Sequence, residues 1–243
     1  MTESTLTDKE VEKLLRTKSG EEIVQQISGN MKSHLFYVGD TMAYKDGKVK
    51  IKENPIPAKP VLYRWWFPED SDVWKVITDY HKDHLEDDTV FDNCFKKVEQ
   101  CTITIKGKAY YALYFGKSNK GSRRYNQHTN GTVGNSTIRH TVYGLLFPDQ
   151  QYDPSKEPEI SNIVRQCYCE WVAIDCAECA EKAKDAEESK ESKESKGANW
   201  IGCLESLCIA LGNYPLNVDG NPAISEDWRK VLLDGRKVSQ KKR

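Results

Sequence analysis

The chain has 243 residues, enough for one large domain or a core with appendages, and for a substantial buried interior. Its 36 Lys and Arg nearly balance 37 Asp and Glu, so the net charge of −1 singles out no polyanionic partner. No apolar run reaches membrane-spanning length and the polar Met1–Lys9 stretch lacks a signal-peptide core, which predicts a cytoplasmic protein with reduced cysteines. The sequons Asn130-Gly131-Thr132 and Asn135-Ser136-Thr137 are then coincidental.

Thr7-Asp8-Lys9-Glu10 spells a capping box, and Val11, Leu14 and Leu15 continue it as a helix. Glu21 to Ile27 predicts a second short helix. Phe36-Tyr37-Val38 and Met42–Lys52 read as strands, the latter turned at Asp46-Gly47. Pro55, Pro57 and Pro60 make a stiff connector, and residues 1–59 are expected to form an accessory region. Pro60–Phe67 is a strand stopped by Pro68, and Ser71 caps a helix carrying Val73, Trp74, Ile77 and Tyr80 to about Leu85. Phe95–Ile105 and Lys108–Phe115 read as a strand pair turned at Lys106-Gly107.

Gly121–Thr129 and Ser136–Phe147 follow as helices, then a strand over Cys167–Ile174. Ala177–Ser195, rich in Ala, Glu, Lys and Ser, reads as a helix end running into a flexible linker. Asn199–Leu211 is an apolar helix bearing Glu205 and ended by Gly212-Asn213. Ser225 caps a last helix before the basic tail Lys241-Lys242-Arg243. The predicted class is α/β, a small mixed sheet flanked by helices, with its core over 60–220, insertions at 68–107 and 148–198, and a terminal segment at 221–243.

Local charge says more than the total. From Lys106 to His140 there are seven Lys or Arg and no Asp or Glu, a surface suited to phosphate. Cys167, Cys169, Cys176 and Cys179 could together offer four thiolates to zinc. The first pair lacks the C-x-x-C knuckle spacing, however, and buried cysteine is an ordinary small hydrophobe, so packing rather than zinc is expected.

Six residues occur in an informative order. Tyr63 closes Val61-Leu62-Tyr63, and Tyr114 opens Tyr114-Phe115-Gly116-Lys117-Ser118. Arg124 follows eight residues after Gly116, and His128 lies one helical turn beyond. Glu205 stands in Leu204-Glu205-Ser206-Leu207, and Asn217 ends Tyr214-Pro215-Leu216-Asn217. Singly, the tyrosines read as strand packing groups and Arg124 and His128 as a helix face. Together and in this order, over about residues 60–220, they resemble the GIY-YIG nuclease family. The two tyrosine motifs are 51 positions apart, with a helix and a strand inserted between them. Loop insertions of this kind cost little, because closure entropy grows slowly with length.

The resemblance implies roles for each position. Tyr63 is the general base, with His128 placed to accept its proton; Tyr114 supports the site by hydrogen bonding near the phosphate. Arg124 clamps phosphoryl oxygens in a planar, permanently charged fork. Glu205 is the single protein ligand of Mg2+, with Mn2+ able to substitute, and Asn217 orients the site from its turn. Lys117 and Arg123 are expected to contact DNA phosphates.

These residues point to an endodeoxyribonuclease acting on double-stranded DNA. Within the family a standalone type II restriction endonuclease fits best, since no helicase partner domain, zinc finger or long linker to a DNA-binding module is visible. A structure-specific or mobile-element nuclease would share the chemistry, and a non-cutting nucleic-acid-binding protein would share the fold. A palindromic recognition site would call for a two-fold homodimer on DNA, which nothing in the sequence shows.

Overall fold

The computed structural model describes residues 5–45, 48–175 and 199–238. The Asp46-Gly47 turn, the Ala177–Ser195 segment, Cys176, Cys179 and the Lys241–Arg243 tail lie outside them.

The chain opens with β1 (Thr5–Thr7) and α1 (Asp8–Thr17), and the capping box forms as read: the Thr7 side chain accepts from Glu10 N while Glu10 reaches back to the Thr7 N–H. Helix α2 (Gly20–Lys32) carries an equivalent box at Ser19 and Glu22 and runs beyond Ile27, burying Ile23, Ile27 and Met31 at helical spacing. Strand β2 is short (Phe36–Tyr37), because Val38–Thr41 tightens into a 3-10 turn. The hairpin β3 (Met42–Lys45) and β4 (Lys48–Ile51) forms a separate two-stranded sheet.

Strand β5 (Val61–Pro68) is buried at every position and extends through Pro68. Ser71 caps α3 (Asp72–Asp83) by accepting from Trp74 N. The strand expected from Phe95 is largely a helix, α4 (Thr89–Gln100); only Thr102–Ile105 is strand β6. Two features override the local strand preference. Asp88 caps the helix by accepting from Phe91 N, and Phe91, Cys94, Phe95 and Val98 bury one face with a helical period. Stacking of Trp74 on Phe95 at 5.2 Å fastens α4 to α3.

Strand β7 (Lys108–Ser118) leads into α5 (Gly121–Asn130), α6 (Thr137–Leu146), α7 (Glu157–Arg165) and β8 (Tyr168–Asp175). Helix α7 had no counterpart in the sequence reading; its Pro158 sits in the first turn, where its missing N–H costs nothing. Helices α8 (Asn199–Gly212) and α9 (Glu226–Val238) complete the described chain.

The main sheet has the order β1-β8-β5-β7-β6, with β5 antiparallel to both neighbours. Strands β1 and β2, from the first 59 residues, both pair with the edge of β8 that faces away from β5. The sheet has two buried faces, each with its own core. Tyr63, Trp65 and Phe67 face α3, α5, α6 and α9. Leu62 and Trp66 face α1, α2 and α8. This is the mixed sheet flanked by helices that the sequence predicts.

Candidate active site

A break in the strand alternation places the second tyrosine. Along β7, Trp65 pairs with Tyr114 but Trp66 pairs with Ala112, so Leu113 is an extra residue, a β-bulge. Leu113 and Tyr114 therefore both point into the core that holds Tyr63, and the phenol rings lie 6.4 Å apart. Tyr63 pairs across the ladder with Gly116, where a Cβ would come within 2.7 Å of the Tyr63 hydroxyl. The glycine is required by that ring, not by its backbone angles.

Helix α5 brings the next two groups. It has no side-chain cap; instead its Gly121 and Ser122 N–H groups donate to the carbonyls of Lys59 and Pro57, at 3.0 and 2.9 Å. Held there, His128 presents Nε2 at 3.0 Å from the Tyr63 hydroxyl. Its Nδ1 lies 2.7 Å from the Ser136 Oγ, the N-cap of α6. Arg139, buried on that helix, bonds Glu157 Oε2 at 2.7 Å and Ser161 Oγ at 2.9 Å, and reaches the His128 carbonyl. Tyr63 and His128 are both almost fully buried.

Burial dominates the electrostatics. It pushes the Tyr63 phenol well above its ordinary range, with Tyr114 and Glu205 adding to the rise and Arg124 opposing it. The Tyr114 phenol is raised for the same first reason, against the pull of Arg124 and Arg236. Burial, Arg124 and Arg139 together hold His128 well below the ordinary imidazole range. At neutral pH this is a neutral phenol against a neutral imidazole, a donor facing an acceptor.

Arg124 is half-buried one turn before His128, with Nη1 on Gln127 Oε1 at 3.1 Å, and its charge reaches Tyr63, Tyr114, His128 and Glu205. Arg123 beside it is exposed. Glu205 comes from α8, on the other face of the sheet, and meets the site at the end of β7. Its Oε1 accepts from Lys117 N at 3.0 Å, and its Oε2 lies 3.5 Å from the Lys117 ammonium. Desolvation raises its carboxyl above the ordinary range, offset in part by Lys117 and Arg124. Asn217 is buried. Its side chain spans Phe115, accepting from the Phe115 N–H at 2.9 Å and donating to the Phe115 carbonyl at 2.7 Å, which fixes β7 between Tyr114 and Gly116.

Three contributors escaped the sequence reading. Ser136 and Arg139 support His128 from a neighbouring helix. Arg236 of α9 donates to Thr141 Oγ1 at 2.9 Å and to the Leu216 carbonyl at 3.4 Å, beside Asn217, and places a positive charge near Tyr114. The close crossing of α9 and α6 at Gly144 and Gly235, where an added Cβ would strike backbone at 2.2 Å, sets that reach. Ser136 is locally legible only as a helix cap, and its contact with His128, like those of Arg139 and Arg236, depends on how neighbouring helices pack.

A hard divalent cation fits the Glu205 end. Its carboxyl is half-buried, and its charge acts on both Tyr63 and Tyr114. Among the described residues no three His, Cys, Asp or Glu side chains gather to hold a metal, so an ion on Glu205 would keep most of its water, as Mg2+ does. Cys167 and Cys169 are packed in the core with burial-raised thiols. Among the described residues no helix is long and apolar enough to cross a membrane.

No curated protein and no solved structure matches the chain. The GIY-YIG catalytic domain matches residues 61–189, more than half of its length, a span that takes in Tyr63, Tyr114, Arg124 and His128. The chain belongs to the GIY-YIG catalytic domain family, and that domain marks it as a nuclease.

Proposed function

We propose that the protein is a metal-dependent endonuclease of double-stranded DNA, acting in the cytoplasm as a sequence-specific restriction enzyme. The observation that carries the chemistry is the buried 3.0 Å contact between Tyr63 and His128, facing Arg124 and Glu205. An attacking water gives a proton to the Tyr63 oxygen as the Tyr63 proton passes to His128 Nε2. Burial opposes a free phenolate and a lasting imidazolium alike, so the proposal couples the two transfers and makes the His128 charge transient. The oxygen of the water bonds to phosphorus, the bond to the leaving alkoxide breaks, and the alkoxide takes a proton from solvent. Arg124 offsets charge on the phosphoryl oxygens, with Lys117 and Arg123 along the backbone of the DNA. A Mg2+ held by Glu205 would supply Lewis-acid stabilisation of the phosphate and leaving group. Tyr114 packs beside Tyr63, and Asn217 fixes β7 at Phe115, next to Tyr114.

The restriction reading is supported by the elements built onto the core, β1, β2, α1 to α4 and α9, which give a nuclease of this size surface with which to select DNA. A palindromic site would bring two copies together on DNA about a two-fold axis. The test is incubation of purified protein with unmethylated plasmid and Mg2+, followed by sequencing of the ends. One shared sequence at every end supports restriction. Ends confined to branched or nicked structures favour a structure-specific nuclease, and binding without cleavage a non-cutting protein.

A further inference from the structure

Lys117 and α8 carry an arrangement that phosphate contact does not explain. The Lys117 ammonium is 3.5 Å from Glu205 Oε2 while its own backbone N–H holds Oε1 at 3.0 Å, so one residue engages both oxygens of the carboxylate. The ammonium also lies over Gly202, one helical turn before Glu205. A Cβ there would stand 2.8 Å from Nζ. Gly202 is helical and its φ is not positive, so the backbone does not call for glycine; the space it leaves is filled by the lysine head. From these contacts we infer that Lys117 is a built-in placeholder cation for Glu205, which a divalent ion must displace, the released ammonium then turning to the DNA phosphate. The inference rests on Glu205 being the metal ligand.

The physical argument is competition. An ammonium and a divalent ion cannot share Oε2 at close range, because like charges repel, so metal affinity carries the cost of breaking the ion pair. Both partners are partly exposed, at 39% and 22% of their side-chain surface, so that cost is modest. The lysine keeps the carboxylate compensated without metal and becomes available for phosphate only when metal arrives.

The experiment measures Mn2+ binding without DNA, by the electron paramagnetic resonance signal of free Mn2+, in the full-length protein. Lys117→Met keeps the stem and the backbone N–H but removes the charge; binding should tighten about two- to five-fold. Gly202→Ala, a change that favours the helix, pushes the ammonium aside and should tighten binding in the same direction. Cleavage by Lys117→Met should meanwhile slow, so affinity and rate move oppositely. Glu205→Gln added to either variant should abolish the gain. Unchanged or weaker Mn2+ binding in both variants overturns the placeholder, and if the wild type still cuts plasmid in Mg2+ the nuclease reading stands. If Glu205→Gln alone binds Mn2+ like the wild type, Glu205 is no ligand, and the placeholder falls together with the metal role of Glu205, while plasmid cleavage by the wild type still decides the nuclease reading.

Discussion

Tyr63 and Arg64 are neighbours on β5, yet they head opposite faces of the sheet and oppose one another chemically. Tyr63 meets His128 as a neutral pair, its phenol raised and its imidazole lowered by burial. Arg64 meets Glu170, its direct ladder partner on β8, as a buried ion pair, with further contacts to Tyr214 at 3.3 Å and the Trp66 ring at 4.6 Å. The neutral pair carries no charge for the core to compensate. The charged pair is complete: its donors are satisfied and its geometry fixed. One face therefore carries a buried neutral pair, to which the proposed mechanism gives the proton transfer, and the other carries an ion pair across the β5–β8 ladder. Glu205 is the exception that joins them, since α8 packs on the Arg64 face and delivers its carboxylate around the end of β7.

The comparison breaks first at Glu205. Glu205→Gln should abolish cleavage while leaving the fold and DNA binding nearly intact, because an amide is a poor ligand for a hard cation. Plasmid cleavage in Mg2+ beside a DNA-binding assay checks it, and an undiminished rate removes the metal end of the site. Arg124→Lys keeps the charge but loses the planar fork. A loss of about a hundred- to a thousand-fold in single-turnover rate is expected, with little change in DNA affinity. Weak binding with a normal rate at saturation would make Arg124 a backbone contact and shift the role to Arg123.

On the other face the readout is stability. Glu170→Gln leaves a buried guanidinium without its counter-charge and should cost about 3–5 kcal/mol in urea unfolding, with cleavage per folded molecule largely kept. A catalytic loss without a stability loss would erase the division between the faces.

The smallest effect is in pH. His128 has a folded pKa depressed below its unfolded value, so the unfolded chain binds the extra proton as pH falls below about 6.5. Stability should drop toward acid in that window, by at most about 1.4 kcal/mol per pH unit from this group. His140, lowered mainly by burial, adds to the slope. His128→Gln should flatten the urea midpoint between pH 7 and 5; an unchanged slope would mean that His128 is charged in the folded state.

Much of this was legible in the chain because it is local. The caps at Thr7 and Ser71, the helix through Arg124 and His128, and the strands through Tyr63 and Tyr114 follow from short-range periodicity and turn chemistry. Helix α4 was misread because Phe95–Ile105 has the aromatic and β-branched content of a strand, while the deciding cap, Asp88, lies upstream. The bulge at Leu113 is invisible to alternation, since only the partner strand defines the extra residue. The Arg64–Glu170 pair joins residues 106 positions apart, and Ser136 reaches His128 across a helix junction. Such pairings are properties of the assembled fold, not of any one segment.

The central claim is that the Tyr63 hydroxyl, not merely its ring, is the proton acceptor, and Tyr63→Phe tests it with one oxygen removed. Single-turnover cleavage should be measured across a Mg2+ titration in the wild type and the variant. The account expects a plateau rate lower by about a hundred- to ten-thousand-fold with the Mg2+ half-saturation unchanged, since proton transfer and metal binding sit at different ends of the site. A variant that reaches the wild-type plateau would contradict it and return Tyr63 to the core as a packing group.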